Sequence, residues 1–139
     1  MNVLLDTHIW VWWLTPDSPL TLSERSALDA AADRGEVRLA AISLWEVQML
    51  HAKGRLALPL AFASWLGQAV NGRMLTLLPL DFRAVTALDE LPSTFHGDPA
   101  DRLIVATARA HSLPLATRDA RIRRSRLVTI WKPKDRIRP

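Results

Sequence analysis

Residues 2–14 read NVLLDTHIWVWWL and decide the fold, because strand character gives way to helix character at a single acid. Residues 2–5 form a short run that ends in apolar side chains, as is typical of a buried parallel strand. From Thr7 onward the apolar side chains recur at the spacing of one helical face. Asp6 lies between the strand-like run and the helix-like run. In a parallel α/β sheet this position is the carboxyl end of a strand, where ligand sites form.

Three more acids follow the same kind of break. Glu46 comes after the run LAAI, Asp119 comes after LAT, and Asp101 lies within HGDPADR. Because the carboxyl ends of parallel strands share one edge of a sheet, we expect all four carboxylates to converge there. Two such charges at 4 Å repel by about 4 kcal/mol at an effective dielectric of 20. A cation such as Mg²⁺ or Mn²⁺ would neutralise that repulsion, since both ions favour oxygen ligands.

Strand-like and helix-like segments alternate along the chain, which predicts βαβ units and a parallel sheet. The third of the strand-like segments is either a strand or an extended link. We predict strands at residues 2–5, 37–42, 75–80, 115–117 and 127–130, and helices at residues 7–14, 23–34, 43–53, 60–70, 81–91 and 98–112.

The composition is that of one globular domain: 139 residues, 49% hydrophobic and 23% charged. We assign the domain to residues 1–131 and a basic tail to residues 132–139. The chain contains no cysteine, which excludes structural disulfides and thiolate metal sites. No apolar run approaches the ~18 residues of a membrane span, and the N-terminus lacks a basic signal region. We therefore expect a cytoplasmic protein without a membrane association.

The net charge of +4 is unevenly distributed along the chain. Residues 118–139 carry nine Lys or Arg against two Asp, whereas the first 117 residues carry nine basic and twelve acidic residues. A basic end beside an acidic body suits a polyanionic partner that must approach an acidic site. The alternative is a tail that improves solubility or binds another protein.

Each acid also has a purely structural explanation. Ser43 and Glu46 have the S-x-x-E spacing of a capping box. Asp98, followed by proline, has the pattern of a helix N-cap with Pro at the first helical position. Asp6 and Asp119 are in N-cap positions as well. Four acids at four such breaks favour a metal site over four unrelated caps.

Hydroxyl and arginine side chains next to the acids are candidates for supporting roles. Thr7, Ser43 and Thr117 could orient ligands or water, or could serve as ordinary hydroxyls at helix starts and strand ends. Arg102 and Arg118 flank acids directly. They could contact a scissile phosphate, or one of them could balance the acidic cluster.

Taken together, four segments resemble the PIN domain family: LLDTH at residues 4–8, ISLWEV at 42–47, HGDPADRLIVATA at 96–108 and LATRD at 115–119. Within that family the match is to the VapC-type toxin ribonucleases of bacterial toxin–antitoxin pairs. The order and spacing of the segments match from residue 2 to about residue 130.

The resemblance implies an α/β protein with a three-layer α/β/α sandwich around a central, mainly parallel sheet of four or five strands. It implies an endoribonuclease that depends on Mg²⁺ or Mn²⁺. Asp6, Glu46 and Asp101 match the three main metal-binding acids of the family, which are also catalytic. Asp119 matches the more variable fourth acid.

The resemblance further implies a homodimer, an RNA substrate and a cognate antitoxin whose C-terminal segment blocks the active site. Asp98 would have a supporting role at the mouth of the site, and Thr117 matches the usual hydroxyl before the fourth acid. Two other functions stay open. One is a non-catalytic module that binds RNA or protein, although such a module would be expected to have lost acids. The other is a different Mg²⁺-dependent phosphoryl hydrolase, such as a DNA nuclease or a phosphatase.

Overall fold

Four parallel strands form the central sheet: β1 (Val3–Leu5), β2 (Val37–Ala40), β3 (Thr76–Leu78) and β4 (Leu115–Ala116). Their order across the sheet is β3-β2-β1-β4. The structure is a computed structural model that describes residues 1–95 and 97–133. His96 of the HGDPADR segment and residues 134–139 of the predicted tail lie outside the described residues.

Two helices follow each of the first three strands, and one described helix follows the fourth. This arrangement is a series of βαβ crossovers, which brings all four strands to run the same way. The helices are α1 (Thr7–Trp13), α2 (Leu22–Asp33), α3 (Ile42–Ala52), α4 (Phe62–Ala69), α5 (Phe82–Asp89), α6 (Pro99–Ala110) and α7 (Ala120–Ser125).

The core has two halves, one on each face of the sheet. Successive side chains of β1 point to opposite faces. Leu5 packs in a cluster with Trp10 and with side chains of α1 to α4. Leu4 packs in a second cluster with Ile104 and with side chains of α5 to α7. The result is a three-layer α/β/α sandwich, so the predicted fold class is confirmed.

The strand register determines which chain segments meet at the carboxyl edge of the sheet. β1 is central and pairs with both β2 and β4, with Leu5 opposite Leu39 and also opposite Ala116. The Asp6 amide continues the ladder by donating to the Ala116 carbonyl at 2.9 Å. The residues just beyond β1 and β4, Asp6 and Thr117, are therefore neighbours.

The structure differs from the predicted elements at the C-terminal end of the described chain. Residues 127–130 contribute a single parallel bridge, between Ile130 and Leu115, rather than a fifth strand. Helix α7 forms directly after Asp119, where no helix was predicted. Among the described residues, no helix is long and apolar enough to cross a membrane.

Candidate metal centre

Asp6 is buried at the end of β1, with 5% of its surface exposed, and both of its carboxylate oxygens are engaged. Oδ1 accepts a hydrogen bond from the Thr7 amide at 2.8 Å, so Asp6 is the N-cap of α1. Oδ2 accepts from the Thr117 hydroxyl at 2.6 Å. These two donors fix the orientation of the carboxylate.

Glu46 lies on α3 and is also buried, with 7% of its surface exposed. The capping-box interpretation is wrong, because α3 begins after Ala41 and has no side-chain cap. Ser43 is inside the helix, and its hydroxyl is 2.8 Å from the Thr7 hydroxyl. Glu46 Oε1 is a buried oxygen with no hydrogen-bond partner in the described structure. A buried carboxylate oxygen without a hydrogen-bond partner requires an explanation, and a cation that binds there is a common one.

Asp98 and Asp101 lie together at the start of α6. Asp98 Oδ1 accepts from the Asp101 amide at 2.8 Å, with Pro99 at the first helical position, so the predicted N-cap is confirmed. Gly97 permits this tight turn. A Cβ at that position would lie 3.0 Å from the Phe95 ring and 3.1 Å from the Asp101 β-carbon.

Three carboxylates converge at this point. One oxygen from each of Glu46, Asp98 and Asp101 lies within 4.8 Å of the other two. Ligand oxygens around one octahedral Mg²⁺ are roughly 3–4 Å apart, given bonds of 2.0–2.1 Å. The group is therefore close to the size that one such cation requires. Asp98, expected only at the mouth of the site, belongs to this group and is exposed.

Asp119 approaches the same site from the end of β4. Its Oδ1 accepts from the Ile122 amide at 3.0 Å and caps α7. Its own amide donates to the Thr117 hydroxyl at 3.0 Å. Because that hydroxyl donates in turn to Asp6, Thr117 links two of the predicted acids.

Burial, together with mutual repulsion, raises the pKa values of Asp101, Glu46 and Asp6. The pKa of Asp101 rises to about 7, first because of burial and then because of Asp98, Asp6, Asp119 and Glu46. Burial also raises the pKa of Glu46, to which Asp6 and Asp98 add, while the Thr7 hydroxyl opposes the rise.

The pKa of Asp6 is raised as well. Burial raises the pKa of Asp6, the hydrogen bonds from Thr117 and Thr7 oppose that rise, and Asp119 adds to it. The four predicted acids and Asp98 thus form one electrostatically coupled set. The donor chemistry fits a hard divalent cation, since the set offers only carboxylate oxygens.

The two flanking arginines have structural partners. Arg102 Nη1 donates to the Phe95 carbonyl at 2.6 Å and so braces the turn before Asp98. Arg118 forms an ion pair with Glu24, and its guanidinium carbon lies 5.8 Å from the centre of the Trp12 ring. Contact of either arginine with a scissile phosphate stays a prediction.

Sequence reasoning missed one residue that faces the acids. His8 is exposed, and its charge lowers the pKa values of both Asp6 and Glu46 against the effect of burial. Its ring centre lies 5.9 Å from that of Trp12. The signal was its position two residues after Asp6 in the first turn of α1, on the edge of the sheet where the acids meet.

Thr117 offers a test of the linked acids. We expect Thr117→Val to slow the metal-dependent RNA cleavage that the resemblance implies by roughly tenfold, since the loss of a hydrogen bond to a charged group costs about 1.5–3 kcal/mol and leaves Asp6 Oδ2 unpaired. Thr117→Ser retains the hydroxyl and should keep most of the activity. Steady-state kinetics of both variants would check this. Equal losses in the two variants would show that the methyl group, rather than the hydrogen bond, matters.

Comparison with known proteins agrees with this fold and this site. The PIN domain family model matches residues 3–126. The chain therefore belongs to the PIN domain family, and to its VapC-type branch. It is 41% identical over 134 residues to Ribonuclease VapC22 of Mycobacterium tuberculosis (strain ATCC 25618 / H37Rv), a match that covers 94% of this chain and 98% of that protein.

Two solved structures share the fold. VapBC2 from Rickettsia felis, bound to a DNA fragment from its promoter, superposes with a TM-score of 0.70 at 17% identity over 94% of this chain and 98% of that one. FitAB bound to an IR36 DNA fragment superposes with a TM-score of 0.66 at 27% identity over 94% of each chain. The first of these likenesses concerns the fold alone.

Proposed function

We propose that this protein is a Mg²⁺- or Mn²⁺-dependent endoribonuclease and the toxin of a type II toxin–antitoxin pair. One observation carries the proposal: carboxylate oxygens of Glu46, Asp98 and Asp101 converge within 4.8 Å, and Glu46 has a buried oxygen without a partner among the described residues. The 41% identity to a protein named as a ribonuclease supports RNA as the substrate.

Glu46, Asp98 and Asp101 would bind the cation, with Asp6 and Asp119 completing the acidic set around it. A bound Mg²⁺ or Mn²⁺ would supply a water of lowered pKa and a positive charge beside the scissile phosphodiester. Without that charge, the set would repel a polyanionic RNA. The same acids that make the site specific for a cation therefore make entry of the scissile phosphate depend on the cation, whereas contacts with the rest of the RNA do not depend on it.

The protein side chains orient the site and leave one side of it open. Asp6 is fixed by Thr7 and Thr117, so its charge stays directed at the coupled acids. Glu46 is buried at the back of the site, whereas Asp98 is exposed at the front. The substrate phosphate would therefore enter from the Asp98 side, with hydrolysis confined to the sheet edge.

The 41% identity to Ribonuclease VapC22 supports a protein partner, because VapC-type toxins belong to toxin–antitoxin pairs. FitAB, which is 27% identical to this chain, was solved bound to DNA. We propose a cognate antitoxin as the partner, a homodimer as the assembly and the cytoplasm as the location of this protein.

A substrate panel tests the function directly. Structured RNA, single-stranded DNA and a phosphate monoester would each be incubated with the protein in Mg²⁺, in Mn²⁺ and in EDTA. We expect cleavage of RNA with either metal, no cleavage in EDTA, and none by Asp6→Asn. Preference for DNA or for the monoester would identify a different phosphoryl hydrolase. RNA binding without any cleavage would identify a non-catalytic module.

A further inference from the structure

A second polar cavity lies beside the acidic site and is not part of it. Its volume is about 620 Å³, and it opens between the loop before α6 and helix α7. One wall carries Thr94 and Phe95, and the other carries Arg121, Arg124 and Ser125. Both arginines are exposed at the surface.

Both walls are continuous with segments that carry the acids. Arg121 is two residues after Asp119, which caps α7. The Phe95 ring and the Asp101 β-carbon are close neighbours across Gly97, since both would touch a Cβ placed there. The cavity therefore lies next to the acids along the surface, within reach of one nucleic acid strand that also contacts them.

The chemistry of the cavity suits a phosphate. Arg121 and Arg124 are three residues apart on α7, so their side chains extend from one face of the helix. Arg123, between them, is turned away and donates to the Thr117 carbonyl at 2.6 Å. Two guanidinium groups on one wall provide charge-assisted donors, and arginine matches the geometry of phosphate oxygens.

We propose that this cavity, the α7 cavity, binds a phosphate of the RNA backbone that flanks the cut phosphodiester. The inference rests on the proposed function, because it names a second contact of the same RNA. It also explains how a polyanion approaches an acidic site. The attraction comes from the exposed arginines beside the acids, while the acids themselves remain available for the cation.

The test is RNA binding in EDTA, where cleavage does not occur. The anisotropy of a labelled single-stranded RNA would be followed with wild-type protein and with Arg121→Gln/Arg124→Gln. Each phosphate contact contributes about 0.7 to the salt exponent for a single strand. We expect the double variant, which removes one phosphate contact, to lose about 0.7 from that exponent and to bind roughly fivefold more weakly at about 0.1 M salt.

The matched control is Arg34→Gln/Arg83→Gln, which removes the same charge elsewhere. Arg34 pairs with Glu36 just before β2, and Arg83 donates to the Ala110 carbonyl at the far end of α6. The control should retain the wild-type salt exponent. If the double variant fails to fold, Arg124→Gln alone replaces it, with an expected loss of roughly half that amount from the salt exponent.

The outcomes separate this inference from the proposed function. Equal salt exponents in the double variant and the control would overturn the α7 cavity as a phosphate site, as would wild-type protein that does not bind RNA. A double variant that loses binding of a labelled polyglutamate peptide but keeps RNA binding would assign the cavity to an acidic protein segment and also overturn it. Wild-type protein that binds RNA through the arginines but cuts nothing in Mg²⁺ would overturn only the nuclease.

Discussion

Asp101→Asn is expected to abolish Mg²⁺-dependent RNA cleavage and, at the same time, to raise the melting temperature of the metal-free protein at pH 8. Asp101 is one of the three converging carboxylates, and its pKa of about 7 records how strongly its surroundings oppose its charge. Asparagine removes that charge and weakens cation binding. Because a catalytic metal contributes several kcal/mol, we expect the rate to fall by about 10³-fold or more.

The measurements are initial rates with a labelled RNA and thermal melts in EDTA. Asp81→Asn is the matched control. Like Asp101, Asp81 is an aspartate at the start of a helix: it caps α5 by accepting from the Ala84 amide at 3.0 Å. It is not one of the coupled acids. The control should retain full activity. An Asp101→Asn protein that keeps a tenth of the wild-type rate, or that melts well below wild type at pH 8, would contradict the assignment.

The second expected result concerns pH. Between about pH 5 and pH 8 the metal-free protein should become less stable as pH rises. The pKa of Asp101 is about 7 in the folded protein against an ordinary value of 3.8, so the folded state binds more protons in that window. The stability that this proton binding contributes is present at low pH and is lost as pH rises to 7. The raised pKa values of Asp6 and Glu46 act in the same direction.

Carboxylates with lowered pKa values do not cancel this trend. The pKa values of Glu24 and Glu36 lie below the ordinary glutamate value of 4.5, so their stabilising effect is lost only as pH falls below about that value. Above about pH 5 they remain ionised in both states, and their contribution is constant.

Excess Mg²⁺ should restore the stability that the metal-free protein loses at pH 8, and it should have little effect on stability at pH 5. A cation at 100 times its dissociation constant stabilises the folded state by about 2.7 kcal/mol. For a chain of this length that corresponds to a rise in melting temperature of roughly 5–10 °C. Thermal melts at several pH values, in EDTA and in Mg²⁺, would measure this rise in melting temperature. Asp101→Asn should flatten the pH dependence. A metal-free wild type whose melting temperature does not fall between pH 5 and pH 8 would contradict the coupled acidic set.

The sequence contained enough information to predict the sheet edge at which the acids meet. Short apolar runs followed by an acid indicate buried parallel strands, and parallel strands end at one edge. Asp6, Glu46, Asp101 and Asp119 therefore came from local pattern alone. Their electrostatic coupling in the structure agrees with that reasoning.

The local sequence pattern did not predict which of the acids lie closest together. Asp98 joins Glu46 and Asp101 in the closest group because of the direction in which its side chain leaves the first turn of α6. The S-x-x-E spacing at Ser43 fits a cap, yet α3 begins earlier, and the Ser43 hydroxyl meets Thr7 of another helix. Tertiary contacts determine both the position of Asp98 in the group and the start of α3, and a single sequence does not reveal those contacts.

The first and last strands of the described chain are neighbours in the sheet. β1 comes first in the chain and β4 last, and the hydrogen bond from Thr117 to Asp6 spans 111 residues. A nascent chain emerging from the ribosome therefore carries Asp6 and Glu46 long before β4 arrives to orient them. The oriented site therefore cannot form until residues 115–119 have been synthesised and have folded against β1.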